Sequence, residues 1–86
     1  MADLIALRVE NMGSIQSARI CYWKGADGAW MLYMPRVGVG NLREHEVTEH
    51  EDGSITVNPS ILVETHDAQG PVVRHGYLVR GEWRDA

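Results

Sequence analysis

The stretch that most constrains this chain is residues 53–63, GSITVNPSILV, with an apparent return partner over residues 72–80. Ile55 and Val57 alternate with Thr56 and Asn58, the period of a half-buried strand. Pro59 removes a backbone donor and interrupts the ladder. Ile61, Leu62 and Val63 follow as a short apolar run, and the turn-rich residues 66–71, HDAQGP, reverse the chain. Val72, Val73, Tyr77, Leu78 and Val79 supply a second apolar set. This half predicts the core of a small β domain rather than an active site.

The rest of the chain extends that pattern. Residues 4–10 alternate as a first strand, with Ile5, Leu7 and Val9 on one face and Leu4, Ala6 and Arg8 on the other. A helix there would be only about two turns long, marginal without packing. Residues 11–14, NMGS, signal a turn, and residues 15–23 read as a second strand. Lys24-Gly25-Ala26-Asp27-Gly28 is a hairpin loop leading into a return strand over residues 29–34. That strand is apolar on both faces, which places it centrally. Pro35 ends it, and RVGVG after it is a bent strand or loop, since it lacks the spacing and the lysine of a phosphate loop. The charged residues 41–52 predict a strand with His45, Val47 and Glu49 on one face, closed by a turn at Glu51-Asp52-Gly53. Glu82, Trp83 and Arg84 make a last short strand, with Trp83 packing back. The expected fold is all-β: one domain over residues 1–86, an antiparallel meander, roll or sandwich of about six short strands.

Composition narrows the function. A chain of 86 residues buries a modest fraction of its surface, so self-association as a dimer is expected. The net charge of −4, with seven arginines and one lysine scattered along the chain, argues against a nucleic-acid partner. The single cysteine, Cys21, cannot close an internal disulfide and fits a reducing compartment. No apolar run reaches the roughly 20 residues of a membrane span, and Asp3 and Glu10 interrupt any signal-like start. The expected setting is the cytoplasm, with no membrane partner. Phe is absent, so Trp23, Trp30 and Trp83 with Tyr22, Tyr33 and Tyr77 carry the aromatic bulk. Three tryptophans in so short a chain suggest that some are half-exposed at a subunit interface.

Candidate chemistry is sparse. His45, His50, His66 and His75 with Cys21 are numerous enough for zinc, but no CxxC or HxxxH pair occurs, and the expectation is no metal and no cofactor. Ser60, His75 and either Asp67 or Glu64 can be nominated as a hydrolytic trio, without a GxSxG elbow around the serine. The acidic run Glu44, Glu46, Glu49, Glu51 and Asp52 could meet a basic partner or simply protect a hairpin edge. The candidate contact residues are therefore Glu44, Glu46 and Glu49, the aromatics Trp30 and Trp83, and His75.

The pattern Asn58-Pro59-Ser60-Ile61-Leu62-Val63, a variable loop, and then His75-Gly76-Tyr77-Leu78-Val79-Arg80-Gly81 resembles the C-terminal half of a family of small phage and prophage proteins. Those proteins share a TxxPSxxV strand followed by a Cys-His-hydrophobic-Arg-Asp-Gly strand, and some carry an ammonia monooxygenase label. The likeness covers residues 54–83. In that family a CxxC pair with downstream Cys and His suggests zinc. Position by position, Cys21 matches the first cysteine and His75 the histidine, while Lys24 and Arg74 stand where two further cysteines would be. The resemblance implies a compact β fold, a phage or mobile-element origin, and the loss of most zinc ligands. The leading expectation is a non-enzymatic accessory protein that binds, and could inhibit, a host defence protein. The alternatives are a small-molecule or nucleotide binder with its site between subunits, and a degenerate zinc module on Cys21 and His75.

Overall fold

The structure, a computed structural model, describes residues 4–86. Among the described residues nine strands form two sheets: β1 (Leu4–Ile5), β2 (Leu7–Arg8), β3 (Cys21–Lys24), β4 (Trp30–Met34), β5 (Gly38–Asn41), β6 (Glu46–Glu49), β7 (Ile55–Asp67), β8 (Gly70–Val79) and β9 (Glu82–Asp85). The five-stranded sheet runs β1-β9-β8-β7-β6 and the four-stranded sheet β2-β3-β4-β5. The all-β expectation holds. The strands outnumber the six expected, and the β2–β3 pair is parallel where an antiparallel arrangement was expected throughout.

The extra strands have physical causes. Residues 4–10 do not form one strand: Ala6 is buried, and around it the chain passes from β1 in one sheet to β2 in the other. The 3-10 turn at Met12–Ser14 falls on the turn expected over residues 11–14, whereas the strand expected over residues 15–23 shrinks to β3 because a further turn occupies residues 17–19. The reversal expected over residues 66–71 needs only Ala68 and Gln69, so β7 and β8 pair out to Asp67 and Gly70. At the β8–β9 turn, Arg80 and Gly81 both take positive φ (48° and 77°), the pair of left-handed residues that a two-residue hairpin requires. β7 continues through Pro59, but its register with β8 shifts between Val57 and Ile61, as expected where a proline cannot donate to the ladder.

The core lies between the sheets. Ile20, Tyr22, Leu32 and Met34 come from the four-stranded side, and Ile55, Val57, Ile61, Leu78 and Trp83 from the five-stranded side. Only alternate residues of the two apolar runs reach it. Ile61, Val72 and Leu78 are buried, whereas Leu62, Val73, Tyr77 and Val79 are exposed by 57%, 56%, 47% and 36%. The reading of both runs as core therefore needs correction: one face of this sheet is covered, so a period of two sorts them. No helix among the described residues is long and apolar enough to cross a membrane.

Candidate functional site

A cleft of about 420 Å³ lies where β5 and the second half of β7 face each other across the sandwich. Leu32, Met34, Val37, Leu42, Ile61 and Val63 give it apolar walls. Its edges follow from the register. The Ala86 N–H donates to the His75 carbonyl at 2.9 Å, so the odd-numbered residues of β8 face β9 and the even-numbered ones face β7. Ile61, Val63 and Thr65 accordingly bond toward β8. Leu62, Glu64 and His66 turn their backbone N–H and C=O groups the other way. β6 covers that side only as far as Asn58, and no strand among the described residues pairs with the rest. Across the cleft, the Leu42 N–H donates to the Trp30 carbonyl at 2.9 Å. Gly38 and Gly40 therefore face β4, and Val39 and Asn41 face outward.

The cleft is bounded at both ends. At one end the chain crosses from β5 to β6 through residues 42–45, where the Leu42 carbonyl accepts from the His45 N–H. At the other, Arg36 holds Asp67 through two hydrogen bonds, at 2.6 and 3.0 Å. That guanidinium, helped by the Gln69 N–H, keeps the Asp67 carboxyl below its ordinary range. His45 lines the cleft. Its Nε2 lies 3.3 Å from the Ser60 carbonyl. A carbonyl only accepts, so Nε2 carries the proton, and Nδ1 is buried without a partner.

The nominated hydrolytic trio is only partly assembled. Ser60 Oγ and His75 Nε2 are 3.0 Å apart, but Asp67 is engaged by Arg36 at the hairpin tip. No carboxylate among the described residues hydrogen-bonds His75. Cys21 is fully buried, its thiol directed to the Gln16 and Arg19 carbonyls at 3.8 and 3.5 Å. Among the described residues no three His, Cys, Asp or Glu side chains gather as a metal-holding group.

The contact residues expected from the sequence are dispersed. Glu44 and Glu46 are exposed beside the cleft. Glu49 is spoken for: Arg8 donates to it at 2.7 Å and holds its carboxyl below the ordinary value. Trp30 is half-buried, with the Arg8 guanidinium 5.2 Å and the Lys24 ammonium 5.7 Å from its ring centroid. Trp83 and Trp23 are 1% and 5% exposed, so neither offers its ring to a partner. Trp83 belongs to the core between the sheets, while Trp23 is buried outside that cluster. His75 lies on the outer face of the five-stranded sheet with Leu62 and Tyr77.

Sequence reasoning missed the open edge of β7 and the exposed face beside it. The sequence runs a strand over residues 41–52, whereas β6 spans only Glu46–Glu49 and leaves the longer β7 unpaired beyond it. No family model, no curated protein and no solved structure matches this chain.

Proposed function

We propose that this chain is a non-enzymatic interaction protein that works by contact with other polypeptides, first of all a second copy of itself. The observation that carries the reading is the outer face of the five-stranded sheet. Leu62, Val73, Tyr77 and Val79 lie on it, and Ile5, opposite Glu82 in β1, extends it. Scattered surface hydrophobes are ordinary, but these five share one face of one sheet, interleaved with Glu64, His75, Glu82 and Arg84, the mixed apolar and polar character of a contact surface. An 86-residue chain has little core of its own, and a second copy laid face to face gives this sheet the cover its other side already has. Among the described residues no carboxylate hydrogen-bonds the imidazole of the Ser60–His75 pair, so the reading does not rest on that pair. The likeness to small phage and prophage proteins supplies a setting, an accessory factor that acts on a host protein in the cytoplasm, with the exposed Glu44 and Glu46 as further contact points.

Sedimentation of the wild type against the Val73→Glu and Tyr77→Glu variants tests the reading. The expected result is a wild-type dimer that either charge dissociates without loss of β structure. A wild type that stays monomeric at millimolar concentration overturns it.

A further inference from the structure

We propose that the cleft between β5 and the second half of β7 takes an extended segment of another polypeptide as a tenth strand. The segment runs antiparallel to β7, in line with β6, with apolar side chains opposite Val63 and Thr65 and a basic side chain opposite Glu64. This surface meets the outer face that carries the proposed self-association at Leu62, whose backbone it uses and whose side chain belongs to that face.

Four observations converge. The first is the free backbone. Leu62, Glu64 and His66 present N–H and C=O groups where β6 has stopped, and Val39 and Asn41 do so on the opposite wall. Exposed edges are usually blunted by lysine, proline or a bulge, but β7 carries its bulge before Ile61 and has neither residue beyond it. The second is length. Leu62 to His66 spans roughly 13 Å at strand spacing, between the residue 42–45 crossing and the Arg36–Asp67 pair, which suits about five residues of extended chain.

The third is side-chain logic. Residues opposite Val63 and Thr65 point between the sheets, toward Met34, Val37 and Leu32, where apolar groups fit. The residue opposite Glu64 points outward beside an exposed carboxylate. A basic group is favoured there and an acidic one is not. The fourth is His45, whose Nδ1 is a sheltered acceptor with no donor. An entering strand brings N–H groups to the wall that contains it. Gly38 and Gly40 leave the far wall open, since a Cβ at either would meet nothing within 4 Å.

The test uses a blocked peptide, acetyl-Thr-Val-Lys-Val-Thr-amide, its Glu-centred counterpart, and a backbone N-methylated version of the first. Binding is read residue by residue from amide NMR shifts and hydrogen exchange. The Lys peptide is expected to shift and protect the amides of Leu62, Glu64 and His66. The Glu peptide should bind about tenfold more weakly, and the N-methylated peptide should not bind. Glu64→Lys, a substitution at an exposed side chain, should reverse the ranking of the two charged peptides. Shifts confined to Tyr77 and Val79, equal binding by the N-methylated peptide, or no shift at millimolar peptide would each overturn the proposal. So would protection of the same three amides by protein concentration alone, which would put a second copy in the cleft. The oligomeric state measured on the outer-face variants is read independently of all these outcomes.

Discussion

Arg8 and Glu49 stand 41 positions apart, on different sheets, and meet at 2.7 Å. The same Nη1 also donates to the Gly53 carbonyl at 2.8 Å, and the guanidinium covers Trp30. One side chain thus ties the short β2 strand to the β6–β7 hairpin and caps the open side of the core. Exposed ion pairs alone contribute little, so most of the effect comes from the backbone bond and the ring contact. Arg8→Ala is expected to lower the melting temperature by a few degrees and Arg8→Lys by less, because an ammonium can keep a charge contact but not the flat stacking geometry. High salt should lower the wild type only slightly. A wild type that falls to the level of Arg8→Ala in high salt would mean that the ion pair was the whole contribution.

Acid sensitivity should be set by four carboxylates at turns and clasps. Asp27 is held below its ordinary value first by the Ala29 N–H and then by Arg43, and Glu49 by Arg8. Asp52 is held down by the Ser54 hydroxyl and N–H, and Asp67 by Arg36. A depressed folded-state value means that the unfolded chain binds the proton more readily. Their contribution is therefore complete above the ordinary values near ~4 and is lost as pH falls through them toward the folded values. The urea midpoint should drop below about pH 4, and Asp67→Asn together with Glu49→Gln should flatten that drop. An unchanged acid limb in the double variant would remove these groups as its cause.

Gly76 is the least replaceable glycine. A Cβ there would overlap the Arg84 carbonyl and lie 2.6 Å from Trp83 Cζ2. Backbone and a fully buried indole cannot both give way, so Gly76→Ala should destabilise the fold by more than about 2 kcal/mol. Gly40→Ala, which meets nothing, is the control and should stay close to wild type in denaturant titration.

The period of two made much of this fold legible. The β3–β4 and β6–β7 hairpins fall where Asp27-Gly28 and Asp52-Gly53 place them, and Trp83 packs back as its position after Gly81 suggests. What failed was the assumption that an unbroken apolar run is buried throughout. Val72 and Val73 are neighbours and the same residue type, yet one is 7% and the other 56% exposed. A sheet's face is decided by which other sheet covers it, and a single strand's sequence does not carry that. The split at Ala6 was hidden for the same reason, since nothing in residues 4–8 marks where the chain leaves one sheet for the other, and Leu4 and Ile5 are both exposed.

The candidate site was less legible than the fold. Ser60 and His75 could be paired from the expected hairpin, but the cleft depends on where β6 stops, and that is set by the crossing from β5 through residues 42–45. The acidic run drew attention to Glu49, whose charge is used internally by Arg8, while Glu64, one residue beyond the short apolar run, stands at the centre of the open edge.

His45 tests whether that edge is built for stability or for contact. Its Nε2 bond to the Ser60 carbonyl stabilises, while the buried Nδ1 without a donor costs a comparable amount. Replacing the ring by an apolar side chain of similar size removes both terms, and the Ser60 carbonyl, on an open edge, can turn to water instead. His45→Met is therefore expected to lie within about 1 kcal/mol of the wild type in urea unfolding. In the same variant the Lys-centred peptide should bind more weakly, because Nδ1 is no longer there to accept from it. A loss of about 3 kcal/mol or more, of the size seen for true core truncations, would make His45 a structural residue. Unchanged stability with unchanged peptide binding would remove the imidazole from both roles.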